Sequence, residues 1–492
     1  MNPSPAPAPP DAESPGSPVP RWVLLLSLLT LLAIPARVIS YGYLPADDAL
    51  RHAAKAVSGK SWADILVLGP HYTVDHNFGW EALLRRVHQA TGWDAERLVD
   101  LSVLGLFLVA AGSALPWLKR PEAWLGTLLL FFVAWPPLAG RWMLGRPLLL
   151  SLGVLISLLF LVQDGNGARP ARGKVAAMTA LIALAVFTHG VWYLWLLPVL
   201  ACFLARAHRP ALALAAAWAA GAVLGAVFTG RPVDYLVEAV RTALRATQLH
   251  PTARTLVPEL QPVSGGLVLF LAWGGLLVLR RLARLEARPL TRLPAFWLAG
   301  LGWTLGFLNR RVWEDWGLPA LLVLVAAHLD FYLRGVLAAA APRRLAVTAG
   351  LAAALFCVTT SDLDSRWTRG LTRQYLTRDD PALAGWLPEP SGIFYAADPA
   401  FFYETFFKNP RADWRYILGF EMTLMPPEDF QILYRILWNF GAAASYRPWV
   451  DKLRPQDRLF VRSDPGAPPP IPGLEWHHTL GGMWSGRLPR RP

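Results

Sequence analysis

Charge is scarce in this chain. Of 492 residues only 16% are Asp, Glu, Lys or Arg, against 54% hydrophobic. That balance excludes an ordinary water-soluble enzyme of this length and excludes a disordered chain as well. Cysteine is nearly absent. Cys202 and Cys357 both fall in apolar runs, so no disulfide framework is expected and the redox compartment stays open. Acids are outnumbered, 34 against 47 Lys and Arg, which leaves a net charge of +13. Such an excess invites a nucleic-acid partner, but most of the basic residues sit in short segments between apolar runs. Membrane topology accounts for them there, and no nucleic acid is expected. The C-terminal segment also lacks a G-x-G-x-x-G or P-loop element, Cys/His zinc spacing and a G-x-S-x-G turn.

What the chain does have is long apolar runs. They recur at about 22–41, 98–118, 122–139, 147–163, 175–189, 191–205, 211–229, 265–279, 293–308, 317–333 and 345–361. The pattern predicts a polytopic α-helical membrane protein with about eleven transmembrane helices. Several runs are short or interrupted, notably at Trp135-Pro136-Pro137, where a re-entrant pair is an alternative. Many of the 23 Trp lie near the ends of the runs, where indole rings favour the headgroup region. The Pro-rich residues 1–20 are expected to be disordered. The run after them is longer than a signal core and lacks a basic flank beyond Arg21, so it reads as a retained span.

Loop charge predicts the orientation. With the N-terminus inside, the short inner segments hold sixteen Lys and Arg and the short outer turns hold four: Arg141, Arg146, Arg310 and Arg311. An odd number of spans then places residues 42–97, 230–264 and everything after about 361 outside. Three domains are expected: the N-terminal tail 1–20, a membrane module 21–361 with its outer loops, and an extracytoplasmic domain 362–492.

In the first outer loop a helical pattern begins at Asp47 or Asp48, with Leu50, Ala53, Ala54 and Val57 on one side. A second sets Trp80, Leu83, Leu84 and Val87 at helical spacing and ends near Gly92. Both helices are expected to lie along the membrane surface. The C-terminal segment alternates strand-like and helix-like stretches: 392–396, 399–407, 414–418, 428–440 and 457–462, then two short strands near 474–480 and 483–488. That order predicts a small α/β domain with a partly parallel sheet.

The acidic pair Asp47-Asp48 closes the first span and opens the outer loop. Such carboxylates serve as a general base or a cation ligand, or they cap a helix; the sequence leaves both readings open. His71, Asp75 and His76 are candidate metal ligands without a recognised spacing, and polar contacts within the loop are the plainer reading. Arg141, Arg146, Arg310 and Arg311 break the charge rule and have the chemistry to grip a phosphate, or to pair with Glu314, Asp315 or lipid headgroups. His189, in a tight turn, is a cavity-lining candidate or a histidine bonded to a backbone carbonyl. Gly221-x-x-x-Gly225 reads as close helix packing, and the run Phe401–Phe407 as the core face of a helix.

Taken in order, the first span, the Asp-Asp-Ala at the start of an outer loop helix, the second loop helix and the further spans resemble the GT-C glycosyltransferases. The branch they resemble most contains the protein O-mannosyltransferases and lipid A aminoarabinose transferases. The resemblance implies a GT-C-like fold, N-terminus inside and C-terminal domain outside, in a bacterial inner membrane. It implies transfer of a sugar from a polyprenyl-phosphate carrier to an unidentified acceptor at the outer face. It further implies a catalytic carboxylate at Asp48 or Asp47, with Arg146, Arg310, Arg311, Arg141 and His189 on the donor side. A divalent cation is left open as cofactor. Several relatives keep an acid in the turn after the third span, where this chain has Arg146-Pro147, a departure that counts against a second catalytic or metal-binding carboxylate there. Two other classes compete: a flippase or transporter of lipid-linked saccharide, which predicts charged or broken helices at mid-membrane, and a non-catalytic assembly subunit, which predicts a solvated acidic pair.

Overall fold

In the computed structural model the described residues are 19–70, 72, 74–163, 170–248, 261–263, 267–282, 289–337 and 341–489. The expected disorder of residues 1–18 and the candidate ligand His71 lie outside them, as does most of 249–264.

Helices fill every apolar run. In chain order they are α1 (Arg21–Ser40), α5 (Ala95–Gly112), α6 (Pro121–Ala134), α8 (Leu148–Gln163), α9 (Arg172–Thr188), α10 (Leu196–Leu204), α11 (His208–Val227), α13 (Leu267–Leu282), α14 (Pro294–Gly306), α15 (Leu318–Leu337) and α16 (Ala341–Thr360). Five described helical stretches are long and apolar enough to cross a membrane: Arg21–Ser40, Ala95–Trp117, His208–Val227, Arg310–Arg334 and Pro342–Thr360. The others are shorter. At Trp135 the chain leaves helical geometry, and Pro137–Trp142 (α7) restarts it at once.

The bundle is packed where small residues let backbones meet. A Cβ on Gly225 of α11 would stand 2.6 Å from the Ala183 carbonyl of α9, and one on Gly221 2.8 Å from that of Thr179. The Gly-x-x-x-Gly reading therefore holds. Gly302 of α14 lies so close to Gly317 that a Cβ there would collide with the Gly317 Cα. Gly317 ends a π-helical turn, Trp313–Gly317, that precedes α15 and buries Glu314 and Asp315.

The first loop forms α2 (Asp48–Ser58), the short α3 (Trp62–Ile65) and α4 (Phe78–Thr91), with Pro232–Gln248 (α12) in the later loop. Gly92 ends α4 in the left-handed conformation, φ 70°, as the sequence predicts. α2 is buried on both of its faces. Its polar face, Arg51, His52 and Lys55, is as buried as Leu50, Ala53 and Ala54. Phe420 of the C-terminal domain lies against Arg51, Trp62 of α3 against Arg51 and Lys55, and Glu81 of α4 against His52.

That domain is an α/β unit. β1 (Ile393–Ala396) is parallel to β2 (Arg415–Tyr416) and to β3 (Arg458–Arg462), while β5 (Met483–Arg487) runs antiparallel between β3 and β4 (Glu475–His478). The order β2-β1-β3-β5-β4 is the partly parallel sheet read from the sequence. Helices α17 (Pro399–Lys408) and α18 (Pro427–Trp438) complete it. One apolar core runs across the boundary between loop and domain: Ala54, Trp62, Ile65 and Leu66 pack with Phe394, Phe402, Phe406 and Tyr416. Burying so many aromatic rings supplies most of the attachment, at about 25 cal/mol per Å².

Candidate active site

A cavity of about 850 Å³ opens between the bundle and this cap. The loop contributes Asp47, Asp48, Arg51, Tyr72 and Asp75; the bundle turns contribute Arg146, His189, Arg311 and Asp315; the C-terminal domain contributes Tyr403, Phe420 and Glu421. Its size suits a ligand of drug or disaccharide dimensions.

Asp47 occupies the N-cap position of α2, yet its side chain makes no capping bond. Its Oδ2 instead accepts from Arg146 Nη2 at 2.5 Å. Asp48 is held by two donors. Oδ1 accepts from Arg51 Nε at 2.7 Å and from Tyr403 Oη at 3.2 Å. Among the described residues Oδ2 accepts no hydrogen bond, and Arg146 Nε stands 3.9 Å away. The side chain keeps 23% of its surface open. Burial alone would push this carboxyl up, but Arg51 first, then Arg146, hold it well below the usual carboxylate range. Asp48 is therefore ionised, with one oxygen committed and the other facing the cavity. Capping does not explain either acid.

Behind Asp48 lies a second buried group. Glu81 of α4 sits 3.1 Å from His52 Nδ1 and 3.7 Å from Arg51 Nη1. Burial, then the neighbouring Asp75, raise the Glu81 carboxyl well above its ordinary range. Asp75 accepts from Trp62 Nε1 at 2.5 Å and from the Asn77 amide at 2.8 Å. Burial, then Arg51, lowers His52 to about 3. Both oxygens of Asp75 thus serve the fold. Among the described residues no three His, Cys, Asp or Glu form a group fit to hold a metal ion. His76 is joined to the site through its backbone: its carbonyl accepts from the Gly190 amide at 2.8 Å and from Tyr235 Oη at 3.1 Å. Among the described residues there is thus no divalent-cation site, and no step below uses such an ion.

The four anomalous arginines separate into two kinds. Arg141 donates to Asp315 and contacts Glu314 at 3.0 Å; Arg310 pairs with the other oxygen of Glu314. Neither lines the cavity, so both are neutralised structural cations. Arg146 and Arg311 do line it. Arg146 is oriented by Asp47, and Nε of Arg311 is buried without a hydrogen-bond partner. His189 is present as expected, but burial, then Arg311, lowers it to about 3. It offers a hydrogen bond to a ligand and no positive charge.

The sequence reading missed Tyr403 and Phe420. Tyr403 lies in the aromatic run read as a core face, and its neighbours Phe401, Phe402, Phe406 and Phe407 are indeed buried core. The polar hydroxyl inside that run was the available signal, because a buried phenol needs a partner. The Phe420 ring stands 3.9 Å from the Arg51 guanidinium carbon.

No family model matches the chain, and no curated protein does. Among solved structures it superposes on the single-particle cryo-EM structure of arabinofuranosyltransferase AftD from Mycobacteria, with TM-score 0.48 and 16% identity. The superposition covers 96% of this chain and 40% of that one, so the chain spans less than half of that neighbour's length.

Proposed function

We propose that the protein is a GT-C-like membrane glycosyltransferase that moves a sugar from a polyprenyl-phosphate donor to an acceptor hydroxyl. The cavity, by this reading, faces the outside of a bacterial inner membrane. The observation that carries the proposal is the open Oδ2 of an ionised, anchored Asp48 in a cavity that also holds Arg146 and Arg311. In the displacement, the acceptor oxygen attacks the anomeric carbon and gives its proton to Asp48 Oδ2. The bond from that carbon to the phosphate oxygen breaks, and the departing phosphate keeps the electron pair. Arg311 and Arg146 stabilise the charge that develops on it. His189 donates to a donor oxygen.

Within this scheme Asp48 is the base and Asp47 orients Arg146. Arg141 and Arg310 lie outside the mechanism, held by Glu314 and Asp315. At the acidic pair the chain resembles the branch of protein O-mannosyltransferases and aminoarabinose transferases. The C-terminal domain covers the acceptor side.

The test is transfer from a panel of farnesyl-phosphoryl hexoses and pentoses to octyl glycosides by the purified full chain. Asp48→Asn is expected to lower turnover by about 10³-fold, within the range of a lost general base. Asp47→Asn is expected to cost about tenfold, through Arg146. Full turnover in Asp48→Asn would sink the assignment.

A further inference from the structure

We propose that Tyr403 is a positioning residue for Asp48, so that the C-terminal domain supplies part of the acid–base apparatus itself. The proposal rests on the reading of Asp48 as the base. It stands on three geometric observations.

The first is the division of labour between the two oxygens of Asp48. Arg51 Nε and Tyr403 Oη both donate to Oδ1, at 2.7 and 3.2 Å. Two donors from different directions fix the plane of a carboxylate that would otherwise rotate about its terminal bond. Oδ2 is then left pointing at the cavity. A single arginine would tether the group without fixing its rotation.

The second is a clamp on the partner. Phe420 lies over the Arg51 guanidinium at 3.9 Å, and Trp62 lies on it at 5.8 Å. Cation–π contact of this kind holds a guanidinium in place when it is desolvated. The Asp48–Arg51 pair of the loop is thereby enclosed by two aromatic residues of the C-terminal domain, Tyr403 and Phe420.

The third is that the two carriers are joined by backbone. Leu66 forms a parallel bridge with Tyr416, and the Val67 amide donates to the Tyr416 carbonyl at 2.9 Å. The Gly69 amide donates to the Leu424 carbonyl at 2.7 Å. A Cβ on Gly69 would stand 2.7 Å from the Met425 carbonyl oxygen, and one on Gly419 2.7 Å from Leu66 Cδ1. The segment after α2 thus extends the sheet beside β2. A hydroxyl placed on α17 keeps its distance to a carboxylate on α2 because both belong to one hydrogen-bonded unit. Burial, then Asp48, also keeps the phenol protonated, so it remains a donor.

The test uses Tyr403→Phe in the full chain, which keeps the ring and removes the donor. With the farnesyl-phosphoryl sugar that supports transfer, kcat is expected to fall roughly tenfold with both KM values unchanged. Tyr403→Phe added to Asp48→Asn is expected to slow turnover no further. Thermal unfolding supplies a readout without turnover: Tyr403→Phe should cost stability in the otherwise native chain and clearly less when combined with Asp48→Asn. A fall in kcat at unchanged KM, with non-additive unfolding, supports the proposal. An unchanged kcat, or additive unfolding, overturns it while leaving the base in place if Asp48→Asn is inactive. Full turnover in Asp48→Asn overturns the base reading and the proposal with it, whatever the unfolding cycle gives.

Discussion

The two ends of the helical bundle treat charge in opposite ways. Where α6 begins, Glu122 is fully buried and closed on every side: Arg344 donates to both of its oxygens, at 2.7 and 3.3 Å, and Thr348 Oγ1 adds a bond at 3.1 Å. Nearby, Asp330 accepts the Arg120 amide at 2.7 Å. Past the other end of α6, Arg146 and Arg311 border a cavity with Asp48, and one oxygen of that acid is left open. Closed pairs hold helices together and have nothing to offer a ligand. Open ones are held by neighbours so that they can meet one. The Glu314–Asp315 turn shows both habits side by side, since it closes Arg141 and Arg310 while Arg311 stays available.

The sharpest way to break this contrast is at the closed end. Glu122→Leu leaves the Arg344 guanidinium largely buried without its carboxylate, which is expected to cost about 3 kcal/mol of stability. Turnover per folded molecule should be unchanged, the reverse of Asp48→Asn. Thermal unfolding in detergent beside the transfer assay checks both halves. A loss of turnover at full stability would mean that the two ends are coupled.

Much of this arrangement was legible in the sequence. The apolar runs, the two loop helices and the strand–helix alternation of the C-terminal domain follow from periodicity, and each returns as an element in place. Asp47 and Asp48 stood out because acids are rare beside spans. The burial of the polar face of α2 was not legible, because Arg51, His52 and Lys55 look solvated until the cover is known to be Trp62, Phe420 and Glu81. Nor was the separation of the four arginines, since adjacent Arg310 and Arg311 differ only in which partner lies within reach. Tyr403 meets Asp48 across 355 positions of chain, and no local pattern reports such a contact.

The acid cluster under the cap should respond to pH in two opposed ways. His52 is lowered to about 3 by burial and then Arg51, so the unfolded chain binds its proton first and stability falls as pH drops from about 6.5 toward 3. Glu81 is raised well above its ordinary value, by burial and then Asp75, so its contribution is complete below about 4.5 and fades as pH rises through its folded value. Between about 4.5 and 6.5 the two slopes partly cancel. His52→Gln is expected to make the protein relatively less acid-sensitive over that window, and Glu81→Gln to make it relatively more tolerant of high pH. Each slope is on the order of 1 kcal/mol per pH unit. Unfolding temperatures of the two variants between pH 4.5 and 8 read the signs directly, and parallel curves would remove the opposition.

The smallest effect expected is at the rim between cap and bundle. Lys408 of α17 pairs with Glu96 at the start of α5, but the side chains keep 26% and 54% of their surface exposed. Glu96→Gln is expected to cost less than about 1 kcal/mol, and the difference should vanish in high salt. The physical reason is that the cap is held by the apolar core around Trp62 and Phe402 and by the backbone bonds of residues 66–69, none of which salt screens. A large, salt-sensitive loss would mean that charge holds the cap on the bundle. The cap side of the cavity would then open at high ionic strength, and the fixed position of Tyr403 over Asp48 would go with it.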